Sequence, residues 1–163
     1  MTVPRVSTDA LVSAVAEVFN GVGVSARAAR TVAGALVESD MRGMPSHGVM
    51  LVPMYLDRLR AGSVTRWEEA EVVAEHGAVT VLDARHALGQ LTGDQGMRLA
   101  IARSREFGVG VTVTRHAFHF GGAYRYALAA ARAGCIGVAA ANTRPLMPAP
   151  GGAEAVVGNN PVA

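Results

Sequence analysis

Lysine is absent from the 163 residues, and all fifteen basic side chains are arginines. They are spread from Arg5 to Arg144 among thirteen Asp and Glu, for a net charge of +2 and a pI of about 9.2. A nucleic-acid binder concentrates its charge on one face or run, so this scatter argues against a nucleic-acid partner. Cysteine is nearly absent too. Cys135 alone excludes an intramolecular disulfide and a multi-cysteine zinc site, and its run Cys135-Ile136-Gly137-Val138 predicts a buried, inert thiol. Aromatics make up only 5%, so the core must be built from Ala, Val and Leu, with nineteen glycines allowing close backbone approach. No apolar stretch approaches the roughly 20 residues that span a bilayer. The N-terminus lacks the basic-then-apolar pattern of a signal peptide. The expectation is a cytoplasmic chain without a membrane partner. Half of the residues are hydrophobic and 17% charged, which excludes a disordered tail.

The first sixty residues carry helical periodicity. Ser7 is placed to cap a helix with the stripe Leu11, Val15, Val18 and Phe19, ending at Asn20-Gly21. Ser25 opens a second helix with Ala28, Ala29, Val32, Ala33, Leu36 and Val37 on one face. A third is predicted from about His47 to Arg60, kinked or started by Pro53 and stopped by Gly62. Beyond Gly62 the pattern changes, which divides the chain into a helical segment, 1–62, and an α/β body, 63–163. Residues 71–83 alternate around His76-Gly77 as a hairpin would. Thr92 to Gln95 reads as a capping box for a helix ending at Gly108. Strand 109–114, helix 122–133 and strand 136–141 then spell a parallel βαβ unit, and the Pro- and Gly-rich remainder reads as a connecting loop.

Two clusters can carry chemistry. One is Glu38-Ser-Asp-Met-Arg42-Gly-Met-Pro-Ser46-His47-Gly48, between two helices; the other is Arg115-His116-Ala-Phe-His119-Phe-Gly121-Gly122, leaving a strand. Ligands of open α/β sheets bind beyond the carboxyl ends of strands, and Gly121-Gly122 would present backbone N–H groups to an anion. Plainer readings stand beside these. Ser46 also suits a helix cap, His47 a helix-start residue, His116 a surface position, and His119 a satisfied histidine between two phenylalanines. The His116-x-x-His119 spacing lacks a third ligand, so no metal is expected. Histidine is nevertheless the commonest acid or base near neutral pH.

With Asp40-Met-Arg42-Gly-Met-Pro-Ser46-His47-Gly48-Val49 running on to Tyr55 and Gly62, with His119-Phe-Gly121, and with Ala133-Gly-Cys-Ile-Gly137 through Asn142-Thr143 to Gly158-Asn-Asn-Pro161, the chain resembles the type-2 malate/L-lactate dehydrogenases. That family also holds ureidoglycolate, sulfolactate and diketogulonate enzymes. The resemblance implies a helical N-terminal segment plus a partial α/β body that is not a Rossmann fold, with a sheet incomplete in this chain. It implies NAD(P)-dependent interconversion of a 2-hydroxy acid and its 2-oxo or imine form, with NAD or NADP left open. By the same analogy His47, Ser46 and His119 are catalytic. Arg42, Tyr55 and Leu51 meet a small-molecule substrate, and Phe120, Gly121, Gly122, Asn142 and Thr143 meet the cofactor.

Three departures bear on that expectation. Leu51 stands where such enzymes usually carry an arginine that clamps the substrate carboxylate. Tyr124-Arg125 and Ala149-Pro150 replace a Gly-aromatic and a Pro-Trp pair. The family's chains are also about twice as long. The expectation is therefore an oxidoreductase acting as a homodimer, or as one half of a split enzyme beside a polypeptide supplying the rest. The alternatives are a non-catalytic binding or assembly subunit, and an enzyme turned to non-redox chemistry.

Overall fold

Helical spacing of small apolar residues folds the first forty residues into a packed pair, α1 (Thr8–Asn20) and α2 (Ala26–Met41). The computed structural model describes residues 5–163. α1 buries Val15, Ala16 and Phe19 against Ala28, Ala29, Val32, Ala33 and Leu36 of α2. Of the stripe expected on α1, Val15 and Phe19 are buried and Leu11 partly so, whereas Val18 is exposed and Ala16 takes its place. Burying a side chain such as Phe19 or Leu36 stabilises the fold by about 1.5–3 kcal/mol. The Ser25 hydroxyl accepts from the Ala28 N–H and caps α2. Ser7 holds the cap position of α1, but its side chain makes no cap bond.

The single helix expected from His47 to Arg60 is instead two 3-10 turns, Pro45–His47 and Val49–Leu51, followed by α3 (Val52–Arg60). Gly48 causes the break. Its backbone is extended (φ −98°, ψ −156°), and a Cβ there would overlap the Asp40 carboxylate, which accepts the Val49 N–H at 2.9 Å. Pro53 sits in the first turn of α3, where its missing N–H costs nothing.

The expected hairpin forms: β1 (Glu71–His76) pairs antiparallel with β2 (Val79–Asp83), with a bulge between Val72 and Ala74. α4 (Gly89–Phe107) then crosses to β3 (Val111–Arg115), which lies parallel to β2. The parallel βαβ unit is thus β2–α4–β3, one element earlier than the reading over 109–141. α4 also starts three residues before Thr92, and the capping box does not form. Thr92 is buried with its hydroxyl directed to the Gly89 carbonyl, while Gln95 uses its amide on both backbone groups of Ala70 (2.6 and 3.0 Å). The sheet order is β1-β2-β3. Tyr55, Leu59, Val64 and Leu88 close onto the α1–α2 core, so one hydrophobic cluster draws on residues either side of the turn at Gly62.

The chain divides into two compact units, one reaching to Gly122 and the other Ala123–Ala163. The second contains α5 (Tyr124–Arg132), which buries Tyr126 and Ala130. The strand expected at 136–141 does not form. A parallel strand needs a neighbour to complete its ladder. Within this unit the neighbour is 161–163, antiparallel: Ala139 and Ala163 exchange two 2.9 Å bonds and Ala140 bridges Val162. Cys135 is half-buried rather than buried, and Ile136 is 99% exposed. In place of a plain loop, β4 (Met147–Pro148) and β5 (Ala155–Val157) form a small antiparallel pair.

Candidate active site

The first unit brings the two histidine clusters together. The 3-10 turn begun by Pro45 carries Ser46 and His47, and the Ser46 hydroxyl stands 3.0 Å from His47 Nδ1. Asp40 anchors this turn through the Val49 N–H, which fixes where His47 leaves the backbone. The segment after β3 carries His119 to within 5.6 Å of the His47 ring, centroid to centroid, with the planes 32° apart. Two imidazoles so placed border one small space.

What holds His119 is Tyr55. The α3 tyrosine is fully buried, and its ring meets Phe19 and Phe118 edge-on at 6.2 and 5.2 Å. Its hydroxyl lies 2.7 Å from His119 Nδ1 and accepts the Gln90 Nε2–H at 2.7 Å. Burial lifts the Tyr55 hydroxyl well above the ordinary phenol range, so it keeps its proton. His119 moves the other way. Burial, and then the charge His47 would carry, hold it below the usual histidine value, so it is neutral near pH 7.

Close backbone contact sets this geometry. A Cβ on Gly89, the first residue of α4, would overlap the carbonyl oxygens of Phe118 and His119. The neighbouring Gln90 is thereby brought under the loop, fully buried. Its carbonyl oxygen has no hydrogen-bond partner among the described residues. Sequence reasoning missed Gln90. A glutamine in the first turn of a helix carries no pattern that separates it from a solvated one. Asp40 lay within the motif without a role, and the obligate glycine at 48 was its only trace.

Other expected site residues sit elsewhere. Arg42 caps α2 and pairs with Glu38 at 2.9 and 3.2 Å. Leu51 is partly buried and packs on the main hydrophobic cluster. Phe120, Gly121 and Gly122 follow His119 in the same unit, with Gly121 at φ +78°. Asn142 and Thr143 belong to the second unit, where Thr143 is held by Asn159 and Asn160. His116 is exposed, as expected. It lies 3.1 Å from Asp83 and stacks on His86 at 5.5 Å. Asp83 also accepts from Arg115 and from the Arg85 backbone, and these bonds bring its carboxyl down to about 2.

The malate/L-lactate dehydrogenase family model matches residues 6–163. A malate dehydrogenase of Pyrococcus horikoshii is 38% identical over 159 residues, 98% of this chain and 44% of its own length. An NAD(+)-named ureidoglycolate dehydrogenase of Escherichia coli is 35% identical over 141 residues, covering 86% of this chain and 40% of its own. Among solved structures, malate dehydrogenase from Pyrococcus horikoshii superimposes with a TM-score of 0.92 over 98% of this chain and 46% of that one. The malate dehydrogenase of Entamoeba histolytica does so with 0.91 at 33% identity, over 99% and 45%. The chain spans less than half the length of the curated relatives it matches. The match of the family model along nearly the whole chain, with the likeness in sequence and in fold to these dehydrogenases, makes the chain a member of the malate/L-lactate dehydrogenase family.

Proposed function

We propose that the protein is an NAD(P)-dependent oxidoreductase that interconverts a 2-hydroxy acid, or a related compound, with its 2-oxo or imine form. The observation that carries this reading is the His47–His119 pair, two imidazoles 5.6 Å apart at the meeting of two loops. One histidine can take the hydroxyl proton while the other holds the oxygen. Ser46 sits on His47 Nδ1 and orients that ring.

The donor set suits a nicotinamide. Ser46, His47, Tyr55, Gln90 and His119 include no arginine, so no permanently positive side chain in this set opposes the charge of an oxidised ring. Bound there, the cofactor would supply the hydride exchange with C2. Phe120, Gly121 and Gly122, next to His119, would hold it. NAD and NADP stay equal in this proposal. Residues of the relatives that lie outside the matched region would complete the cofactor site, in the same polypeptide or a partner.

Leu51 shapes the substrate. An aliphatic side chain there forfeits a bidentate charge-assisted contact to a carboxylate. Arg42 is engaged with Glu38 and would have to release it to serve instead. The substrates favoured are therefore carbonyl or imine compounds whose carboxylate is absent or bound elsewhere. Leu51 is also the observation that favours a second reading, a binding subunit that kept the fold without turnover.

Titrating the intact protein with NADH and NADPH by fluorescence, followed by reductase assays on 2-oxo acids and cyclic imines, tests the proposal. Saturable cofactor binding and a turnover lost in His119→Ala are expected. Absence of binding to the protein together with whatever polypeptide completes its cofactor site sinks the oxidoreductase reading in favour of the binding subunit.

A further inference from the structure

Around Tyr55 the hydrogen-bond directions are decided by counting protons. The Gln90 amide N–H donates to the Tyr55 oxygen at 2.7 Å, so the single hydroxyl proton must go elsewhere. It has two acceptors within reach: His119 Nδ1 at 2.7 Å and the His119 carbonyl at 3.4 Å. If Nδ1 carried a proton, the phenol would be left with the longer, weaker contact alone. The phenol proton takes the short contact only where Nδ1 is unprotonated, and that arrangement is the one that gives the hydroxyl its better acceptor.

We infer that Gln90 is a positioning residue which, through Tyr55, locks His119 as the tautomer protonated on Nε2. The consequence deepens the reading of the site given above and rests on it. Neutral His119 can then only donate at Nε2, and so holds the reacting substrate oxygen by a hydrogen bond. His47 is left to exchange the proton. In the oxidising direction, with the C2 hydride taken by the nicotinamide of the proposed function, the hydroxyl proton would pass to a ring nitrogen of His47, and the new carbonyl oxygen would keep the His119 hydrogen bond. In the reducing direction His47 returns the proton. The Ser46 hydroxyl, free to rotate as donor or acceptor, serves His47 Nδ1 in either protonation state.

Burial of the relay gives the lock its strength. Tyr55 and Gln90 are fully buried, and water cannot replace either partner. Gly89, under the Phe118 and His119 carbonyls, keeps the Gln90 backbone in register with the loop.

The test is nitrogen NMR on the intact protein labelled at its five histidines, which needs neither cofactor nor substrate. Above the ionisation of His119, Nδ1 should resonate as an unprotonated, hydrogen-bonded nitrogen and Nε2 as a protonated one. In Tyr55→Phe the Nδ1 resonance should move downfield as its hydrogen bond is lost. In Gln90→Met the ratio of the two tautomers should fall by about tenfold, the worth of one hydrogen bond. A wild-type His119 protonated on Nδ1 overturns the inference, as does an Nδ1 resonance unmoved by Tyr55→Phe. An unchanged ratio in Gln90→Met removes Gln90 from the relay. If Gln90→Met does not fold, the wild-type and Tyr55→Phe spectra decide alone. These spectra do not depend on turnover. A protein with the expected tautomer and no oxidoreductase activity refutes the proposed function and leaves the relay intact.

Discussion

Leu51 and His119 show how single residues divide between packing and chemistry. Leu51 closes the second 3-10 turn and rests on the main core, so its side chain serves the fold whatever it does for a ligand. Leu51→Arg trades that contact for a guanidinium that must reach outward for water. Unfolding in urea should report a loss of about 1–2 kcal/mol, part of the value of a buried leucine. A variant of unchanged stability with strong 2-oxo-acid reductase activity would mean that position 51 lines a wet pocket. His119 has a pH signature. Its folded-state ionisation lies below the ordinary value of about 6.5, so the unfolded chain binds the extra proton first as pH falls. The stability it contributes is complete above pH 6.5 and declines through the window below it, down to the folded-state value. Denaturation midpoints measured across that window should slope downward toward acid, and His119→Gln should flatten the slope.

At the scale of elements, what the sequence revealed depended on whether the signal was local. α1 and α2 were legible because three-to-four-residue spacing of alanine and valine needs no knowledge of partners. The β1–β2 hairpin was legible from alternation. The start of α4 was not, since Thr92 to Gln95 looks like a capping box locally but is claimed by burial and by the Ala70 backbone. Segment 136–141 misled for the same reason. Its apolar run fits a parallel strand only if a neighbour is present, and the neighbour in its unit runs antiparallel. Ser46, His47 and His119 could be chosen from their motifs, but their convergence depends on a backbone contact that sequence does not announce. Gly89 makes that contact. Gly89→Ala would drive a methyl group into two carbonyl oxygens and push the 118–119 loop away from α4. Because backbone must shift rather than a flexible side chain, a cost of about 1–3 kcal/mol is expected. A crystal structure or histidine NMR should show the His119–Tyr55 bond lengthened or lost. A Gly89→Ala variant with wild-type stability and an unmoved His119 would contradict the close approach.

For the whole molecule the open question is how the sheet ends. Among the described residues β1 and β3 are both edge strands, and β3 pairs with no strand other than β2. Thr112 and Thr114 of β3 turn toward α4, where they face Gly96. Val111 and Val113 therefore point to the opposite side, 41% and 52% exposed. Across that face Val79 and Val81 of β2 stand in register with them. An apolar sheet face beside an unpaired strand is a template for another chain. A second copy of this chain is the simplest occupant, because two like edges can pair without any further component. Light scattering on the purified protein at micromolar concentration should give a mass above that of one chain. Replacing Val111 and Val113 together by lysine, on a face where no core contact is lost, should lower that mass toward one chain while the helical signal persists. A wild-type protein that stays monomeric at these concentrations would mean that the homodimer is wrong and that other residues, of the same or another polypeptide, cover the face. The valine pair tells the two apart, since a lysine variant of a true dimer becomes smaller in solution, whereas a monomer keeps its mass.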